Sequence, residues 1–408
     1  MSKKTPLTGI SSVAIHASGH NNAEYAHITP IFATSTFTFD DAESGMERYS
    51  GKDKTRIYSR WGNPTFTAAE ETIAALESFG LLNEDGSPLQ LKALLHSSGQ
   101  AAMTTMFMSN LKAGDTVLSH FALYGGTNEL FKSVLAQAGV HTMIIDMRNL
   151  NAVEDVIKSN PSIKLIHLET PANPTLQCID IAGISELAKK YGAVLTVDNT
   201  FATPYLQQPF KYGADFVFHS TTKFLNGHGT AIGGVLLGKD LEKMNTTVWK
   251  WHTLMGGNSN PFDAFLLSQG MKTLEIRMDR HCSNAMEVAQ FLEKHVAVQK
   301  VNYNGLTTHP DYEISKKQMR HPGALMSFEL KGGLQAGKDF IDKLNMCVRA
   351  VSLGTLDTLI SHPASMTHSG LTVEEREKYG ITDGLIRMSV GIENILDILN
   401  DLDQALSL

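Results

Sequence analysis

Between residues 64 and 238, short β-like runs alternate with helix-like segments, and this limits the fold more than any other feature of the chain. The runs DTVLSH, HTMIID, KLIHLET, GAVLTVDNT and ADFVFHST are apolar and short. Between them lie GGTNELFKSVLAQAG, NAVEDVIKSNP and GISELAKKYG, which read as helices. Further upstream, PTFTAAEETIAALESF opens with Pro64 near a helix start, and LKALLHSSGQAAMTTMFMSNL reads as strand, Ser/Gly turn and helix. Strands that alternate with helices are joined by crossovers, so they lie parallel with helices on both faces. The expected class is α/β, with a doubly wound, mostly parallel sheet.

With 408 residues the chain is too long for one ordinary core. Residues 1–60 are loop-rich and read as an arm, and 61–260 as the large domain. After about residue 260 the pattern changes to long helix, the run MSFELKGG, a helix near 334–346 and the closing segment LIRMSVGIENILDILNDLDQAL. Residues 261–408 therefore read as a smaller α+β domain. The segment FGLLNEDGSPLQLK reads as a surface loop.

Composition excludes several classes. The net charge is −7 and the basic residues are scattered, so no nucleic-acid footprint appears. No apolar run approaches the roughly 20 residues of a membrane helix, and the N-terminus does not read as a signal peptide. Cys178, Cys282 and Cys347 are far apart and form no CxxC, so neither a disulfide framework nor a zinc site follows; a reducing cytoplasm fits best. Sixteen histidines invite a metal, yet no HExxH occurs, and none is expected.

The chemistry falls where strands of the large domain should end, which is where open α/β sheets bind ligands. Gly99 and Gln100 lie at a strand-to-helix turn in HSSGQAAM, suited to phosphate, though an ordinary αβ turn reads the same. Asp198 ends the run AVLTV and needs a partner: a metal ion, an arginine or a protonated ring nitrogen, with a helix cap as the plain alternative. Lys223 follows Asp198 by 25 residues, about one β-α-β step, in the stretch HSTTKFLNGHG. Extended geometry puts the hydroxyls of Ser220 and Thr222 on one side, where they can bind phosphate. An enclosed lysine can lose its proton and become a nucleophile. Phosphate donors, a buried carboxylate and a reactive lysine in this order point to pyridoxal 5'-phosphate (PLP), with a Schiff base on Lys223 and Asp198 against the pyridinium nitrogen. Arg387 lies in the apolar LIRMSVG, where an arginine needs an anion.

Over nearly its whole length the sequence resembles the Cys/Met-metabolism PLP enzymes of fold type I. The resemblance rests on IYSRWGNPT, SSGQAAM, LYGGT, ETPANPT, VDNTFATPYLQ, HSTTKFLNGHG, SLGTLDTLISHPASMTH and IRMSVGIE. It implies that Lys223 shuttles a proton and that Tyr124 stacks on the ring and acts at the leaving group. It implies that Asn173 meets the ring hydroxyl and that Arg387, helped by Ser352, clamps the substrate carboxylate. It also implies that Tyr58 and Arg60 reach the phosphate of a neighbouring subunit, in a dimer commonly doubled to a tetramer.

Departures bear on the substrate. Members that handle cystathionine often carry Glu before the Ser of SLG, where this chain has Val351. That leans toward γ-elimination of methionine or a related amino acid. Methionine γ-lyases, however, usually carry Cys where Gly126 stands, and His252 and Thr253 are the best matches to their Lys-Asp pair. The alternatives are γ-replacement on an O-acylhomoserine, as in cystathionine γ-synthase or the sulfhydrylases, and cystathionine γ-lyase.

Overall fold

In the computed structural model, residues 7–18, 25–51, 56–370, 372–378 and 380–407 are described. Seven strands build the larger sheet: Lys92–His96 (β1), Thr116–His120 (β2), His141–Ile145 (β3), Ile163–Glu169 (β4), Val194–Asp198 (β5), Phe216–His219 (β6) and Gly234–Gly238 (β7). Their order is β1-β7-β6-β5-β4-β2-β3. The five strands from β6 to β3 are parallel, and β7 runs antiparallel to both its neighbours. Strands β2, β6 and β7 are buried throughout, which is why they read as unbroken apolar runs: helices cover both faces.

The helices begin where the side chains say they should. Pro64–Glu77 is capped by Asn63, whose side chain accepts from the Thr65 N–H at 2.9 Å, and Pro64 takes the first position. Gly99–Asn110 is capped by Ser98. Ile181–Tyr191 starts on Asp180 and ends on Gly192, whose φ of 68° is the left-handed stop that favours glycine. The arm is less irregular than its sequence implies. It holds two short helices, Ile10–His16 and Ala42–Tyr49, the second with an Asp41–Ser44 capping box. Residues 1–6, 19–24 and 52–55 of the arm lie outside the described residues. The segment after Phe79 is a surface turn, closed by the Leu82–Pro88 bridge and by Asn83 N–H donating to Ser87 O at 2.7 Å.

The smaller sheet comprises Val298–Asn302 (β8), Leu325–Leu330 (β9), Val348–Arg349 (β10), Leu359–Ser361 (β11) and Leu385–Ser389 (β12). Their order is β10-β11-β12-β9-β8. The helix Leu274–Lys294 serves both cores. Leu274, Met278 and Cys282 pack under the larger sheet, and Ala285, Val288, Ala289 and Leu292 pack under the smaller one. Among the described residues no helix is long and apolar enough to cross a membrane.

That shared helix also carries Arg277, only 4% exposed. Its guanidinium donates to Phe224 O at 2.7 Å and Gly270 O at 2.9 Å, and more weakly to Leu225 O at 3.4 Å. The two carbonyls at 224 and 225 follow Lys223 directly. Burial pulls the arginine down to about 10, so it stays charged at neutral pH. Arg277→Met should lower the unfolding free energy by about 3 kcal/mol, because buried carbonyls lose charge-assisted donors. Arg277→Lys should recover only part of it, since an ammonium cannot span the same fork. A urea titration reads both, and an unchanged midpoint in the Met variant would reject the role.

Candidate active site

Strands β4, β5 and β6 end side by side on Glu169, Asp198 and His219. A cleft of about 870 Å³ opens over these ends. Of the cofactor- and substrate-binding residues expected from the sequence, all line it except Tyr58 and Arg60; Gly126, His252 and Thr253 do not line it either.

Asp198 is 8% exposed, and one oxygen accepts the Thr200 N–H at 2.9 Å. Burial raises its pKa to about 6, against the lowering effect of Thr200 and of His219. His219 itself is fixed by Glu77, with Nε2 and Oε1 2.7 Å apart in a fully buried pair. Asn199 donates to the same Glu77 oxygen at 3.0 Å.

Lys223 sits in the turn after β6. Its Nζ donates to Ser352 Oγ at 3.1 Å, and burial, followed by the charge of Arg387, lowers its pKa. Both influences favour the neutral amine, which is the nucleophilic form. Among the described residues no carboxylate pairs with it.

Gly99 and Gln100 form the first turn of the helix Gly99–Asn110, where N–H groups lack intrahelical acceptors. Ser220 packs on Gly99 so closely that a Cβ there would lie 3.1 Å from the Ser220 Cβ. Thr200 Oγ1 accepts the Ser220 N–H at 2.9 Å. The Thr222 hydroxyl is engaged with Gly233, donating to its carbonyl at 3.2 Å and accepting its N–H at 3.0 Å.

Sequence reasoning missed Glu169. It is 4% exposed and pairs in register with Asp198 on the neighbouring strand. Its two oxygens accept the N–H groups of Tyr124 at 2.7 Å and Asn173 at 3.1 Å. Burial, and then Asp198, raise its pKa to about 8. The signal was available: KLIHLE ends an apolar run on an acid just as AVLTVD does.

Tyr124 is 51% exposed at the cleft wall, and its ring leans over Gly126. A side chain at Gly126 would run into that ring and into the Gln100 amide. Asn173 Oδ1 is buried with no hydrogen-bond partner. Across the cleft, Arg387 is held through one nitrogen by the carbonyls of Val351 and Ser352, each at 2.9 Å. Burial lowers it to about 10, and among the described residues no carboxylate pairs with it.

Tyr58 and Arg60 stand apart from this cleft. Tyr58 is exposed and packs edge-on against Trp61, and Arg60 donates to Thr253 O at 2.7 Å. His252 is buried against His96, with its Nε2 2.8 Å from Leu95 O.

These groups fit PLP. Among the described residues no lysine or arginine pairs with the buried acid and the Asn173 oxygen lacks a donor; burial and Arg387 favour the neutral form of the lysine, and Ser220 packs against the glycine that leads a helix start. The fold and the cleft thus define an α/β enzyme built around a lysine-bound cofactor. The model of the family described as Cys/Met metabolism PLP-dependent enzyme matches residues 11–407, and the chain belongs to that family. An L-methionine gamma-lyase of Fusobacterium nucleatum subsp. polymorphum is 46% identical, covering 99% of each chain. A cystathionine beta-lyase of Coxiella burnetii is 40% identical over 93% of each. Among solved structures, the cystathionine gamma synthase of Xanthomonas oryzae pv. oryzae in complex with cystathionine is 37% identical, with a TM-score of 0.89 over 99% of this chain and 98% of that one.

The two raised carboxyls make a pH prediction. Each binds its proton more tightly folded than unfolded, where carboxyls titrate near 4. Their contribution to stability is therefore full below about pH 4 and is lost as pH rises through about 6 and about 8. The apoprotein should lose thermal stability between about pH 5 and about pH 9, and the Asp198→Asn/Glu169→Gln apoprotein should lose less. Parallel slopes in thermal scans would show that these groups do not titrate in that range.

Proposed function

We propose that the protein is a carbon–sulfur lyase that converts L-methionine and water to 2-oxobutyrate, methanethiol and ammonia. The observation that carries this reading is Val351, an exposed apolar residue at the cleft, directly before Ser352. An apolar neighbour suits a thioether and offers no charge to a distal ammonium. The full-length likeness to methionine gamma-lyases supports the same substrate.

Bound PLP supplies an electron sink for charge left at the substrate carbons. Asp198 holds the ring nitrogen protonated, and Asn173 meets the ring hydroxyl. The N–H groups of Gly99 and Gln100 and the hydroxyl of Ser220 hold the phosphate, with Thr222 beside them. The free edge of Arg387 takes the substrate carboxylate, and Ser352 steadies the Lys223 amine between turnovers. Lys223 takes the proton from Cα and delivers it further along the chain. The Tyr124 phenol protonates the departing sulfur.

A second reading, cystathionine as substrate, draws on Asp263. This half-buried carboxylate also lines the cleft and is held by Asn260. Replacement on an O-acylhomoserine is the third. Incubation with methionine, cystathionine and O-acetylhomoserine, with and without sulfide, separates them. We expect methionine to give 2-oxobutyrate and methanethiol without sulfide. A new thioether or thiol amino acid as main product would instead assign a transferase.

We further propose that the arm completes a neighbouring copy's cleft, in a dimer of dimers. Tyr58 and Arg60 lie outside their own cleft, and Tyr58 is exposed, which supports this. The three cysteines are free and buried, which fits a reducing cytoplasm. Subunit exchange tests the arm. Arg60→Ala chains mixed with Lys223→Ala chains should regain activity, toward half that of a wild-type dimer, because one site then carries both lesions and the other none. No recovery, with exchange verified by mass, would place the arm's action within its own chain.

A further inference from the structure

We propose that Glu169 is a positioning residue: its one carboxylate sets the Tyr124 loop and the Asn173 loop in place beside Asp198. The proposal rests on the reading of this cleft as the lyase site. Three observations carry it.

The first is the double acceptance. Glu169 Oε2 takes the Tyr124 N–H at 2.7 Å and Oε1 takes the Asn173 N–H at 3.1 Å. Tyr124 lies in the loop after β2, and Asn173 in the loop after β4. A single side chain thus ties together two loops from different strands. Only a carboxylate has two oxygens in this geometry, since an amide has one acceptor and a hydroxyl one oxygen.

The second is what the loops carry. The Tyr124 side chain is 51% exposed, and the Asn173 oxygen is buried without a partner. Both backbones are pinned while both side chains remain available to something in the cleft. That is how groups meant to meet a ligand are preorganised.

The third is the cost of the arrangement. Glu169 and Asp198 are buried side by side in register on adjacent strands. Two carboxylates there oppose each other's ionisation. A cap serving structure alone would be cheaper with a neutral acceptor. The arrangement becomes favourable when a cation lies against the pair, and a protonated ring nitrogen at Asp198 is such a cation.

The holoenzyme variant Glu169→Gln tests this in two independent ways. In resting holoenzyme, amide hydrogen exchange of segments 121–128 and 170–176 should speed up at least about tenfold, with the rest of the sheet unchanged. With methionine, kcat should fall about 100-fold while KM stays within about threefold, because a misplaced Tyr124 impairs the step and not the binding. Borohydride should still fix the cofactor on Lys223. In a cycle with Tyr124→Phe, the double variant should fall short of the product of the single losses by about tenfold or more. The proposal is overturned if the two segments exchange as in the wild type, or if the losses multiply. A wild type that makes no 2-oxobutyrate from methionine rejects the lyase reading and leaves the exchange result to decide on Glu169. Should Glu169→Gln not fold, Glu169→Asp, which keeps the carboxyl group but shortens the reach, goes through the same measurements with the same deciding results.

Discussion

Two carboxyl groups buried side by side at the ends of parallel strands set the electrostatics of this cleft. Parallel pairing puts Glu169 and Asp198 in lateral register, so neither can move away from the other without breaking the ladder. Burial resists both charges, and each charge resists the other. Backbone N–H groups of Tyr124 and Asn173 answer Glu169, whereas Asp198 has the Thr200 N–H and the influence of His219. Asp198 is therefore the member of the pair with an unmet demand for positive charge. Burial outweighs the opposing influence of Thr200 and of His219, which is itself held by Glu77, so the Asp198 pKa is raised.

The lysine is prepared by the opposite means. Lys223 is surrounded by groups that penalise its charge, and the penalty comes from both halves of the molecule. β6 supplies the turn, while Arg387 of β12 supplies the repulsion and Ser352 the hydroxyl. Arg277 then fixes the carbonyls just beyond the lysine from a helix that belongs to both cores. A helix shared between two cores holds the two sheets in one relative position. The Lys223-to-Ser352 distance depends on that position, so packing far from the cleft bears on the reactivity of one amine.

Asp198 was legible because it ends an apolar run with a charge at a strand end, and Lys223 because it follows such a run within a Ser/Thr turn, local patterns with local causes. The helix-cap alternative for Asp198 is not realised: the Thr200 N–H that it accepts lies in a turn, and the next helix, Thr203–Leu206, has Ala202 as its cap residue with no side-chain cap bond. Glu169 obeys the same rule, yet it is the first residue of the distinctive ETPANPT, which masks the strand end it marks. Arg277 was not legible at all. In EIRMDRH it looks like a surface charge, and two of the three carbonyls it meets come from residues 53 and 52 positions earlier. Strand β7 shows a further limit: GVLLG reads as a buried strand in either direction, and only tertiary pairing makes it antiparallel. The helices of the arm escaped because they are seven and eight residues long, too short for a period to stand out.

What the cleft leaves unpaired is as informative as what it pairs. Among the described residues the Asn173 oxygen has no donor and one edge of Arg387 has no acceptor, and Tyr124 is half exposed. In each case the backbone or one end of the side chain is tied and the functional end is not. Tyr124 makes the point most sharply. Its N–H is fixed by Glu169, and the absence of a side chain at Gly126 lets its ring lie where a Cβ would otherwise intrude. Glycine at 126 thus leaves the ring room that any side chain would take. The ring is therefore held at its base by the Glu169 bond and left open at its tip by the space beside Gly126.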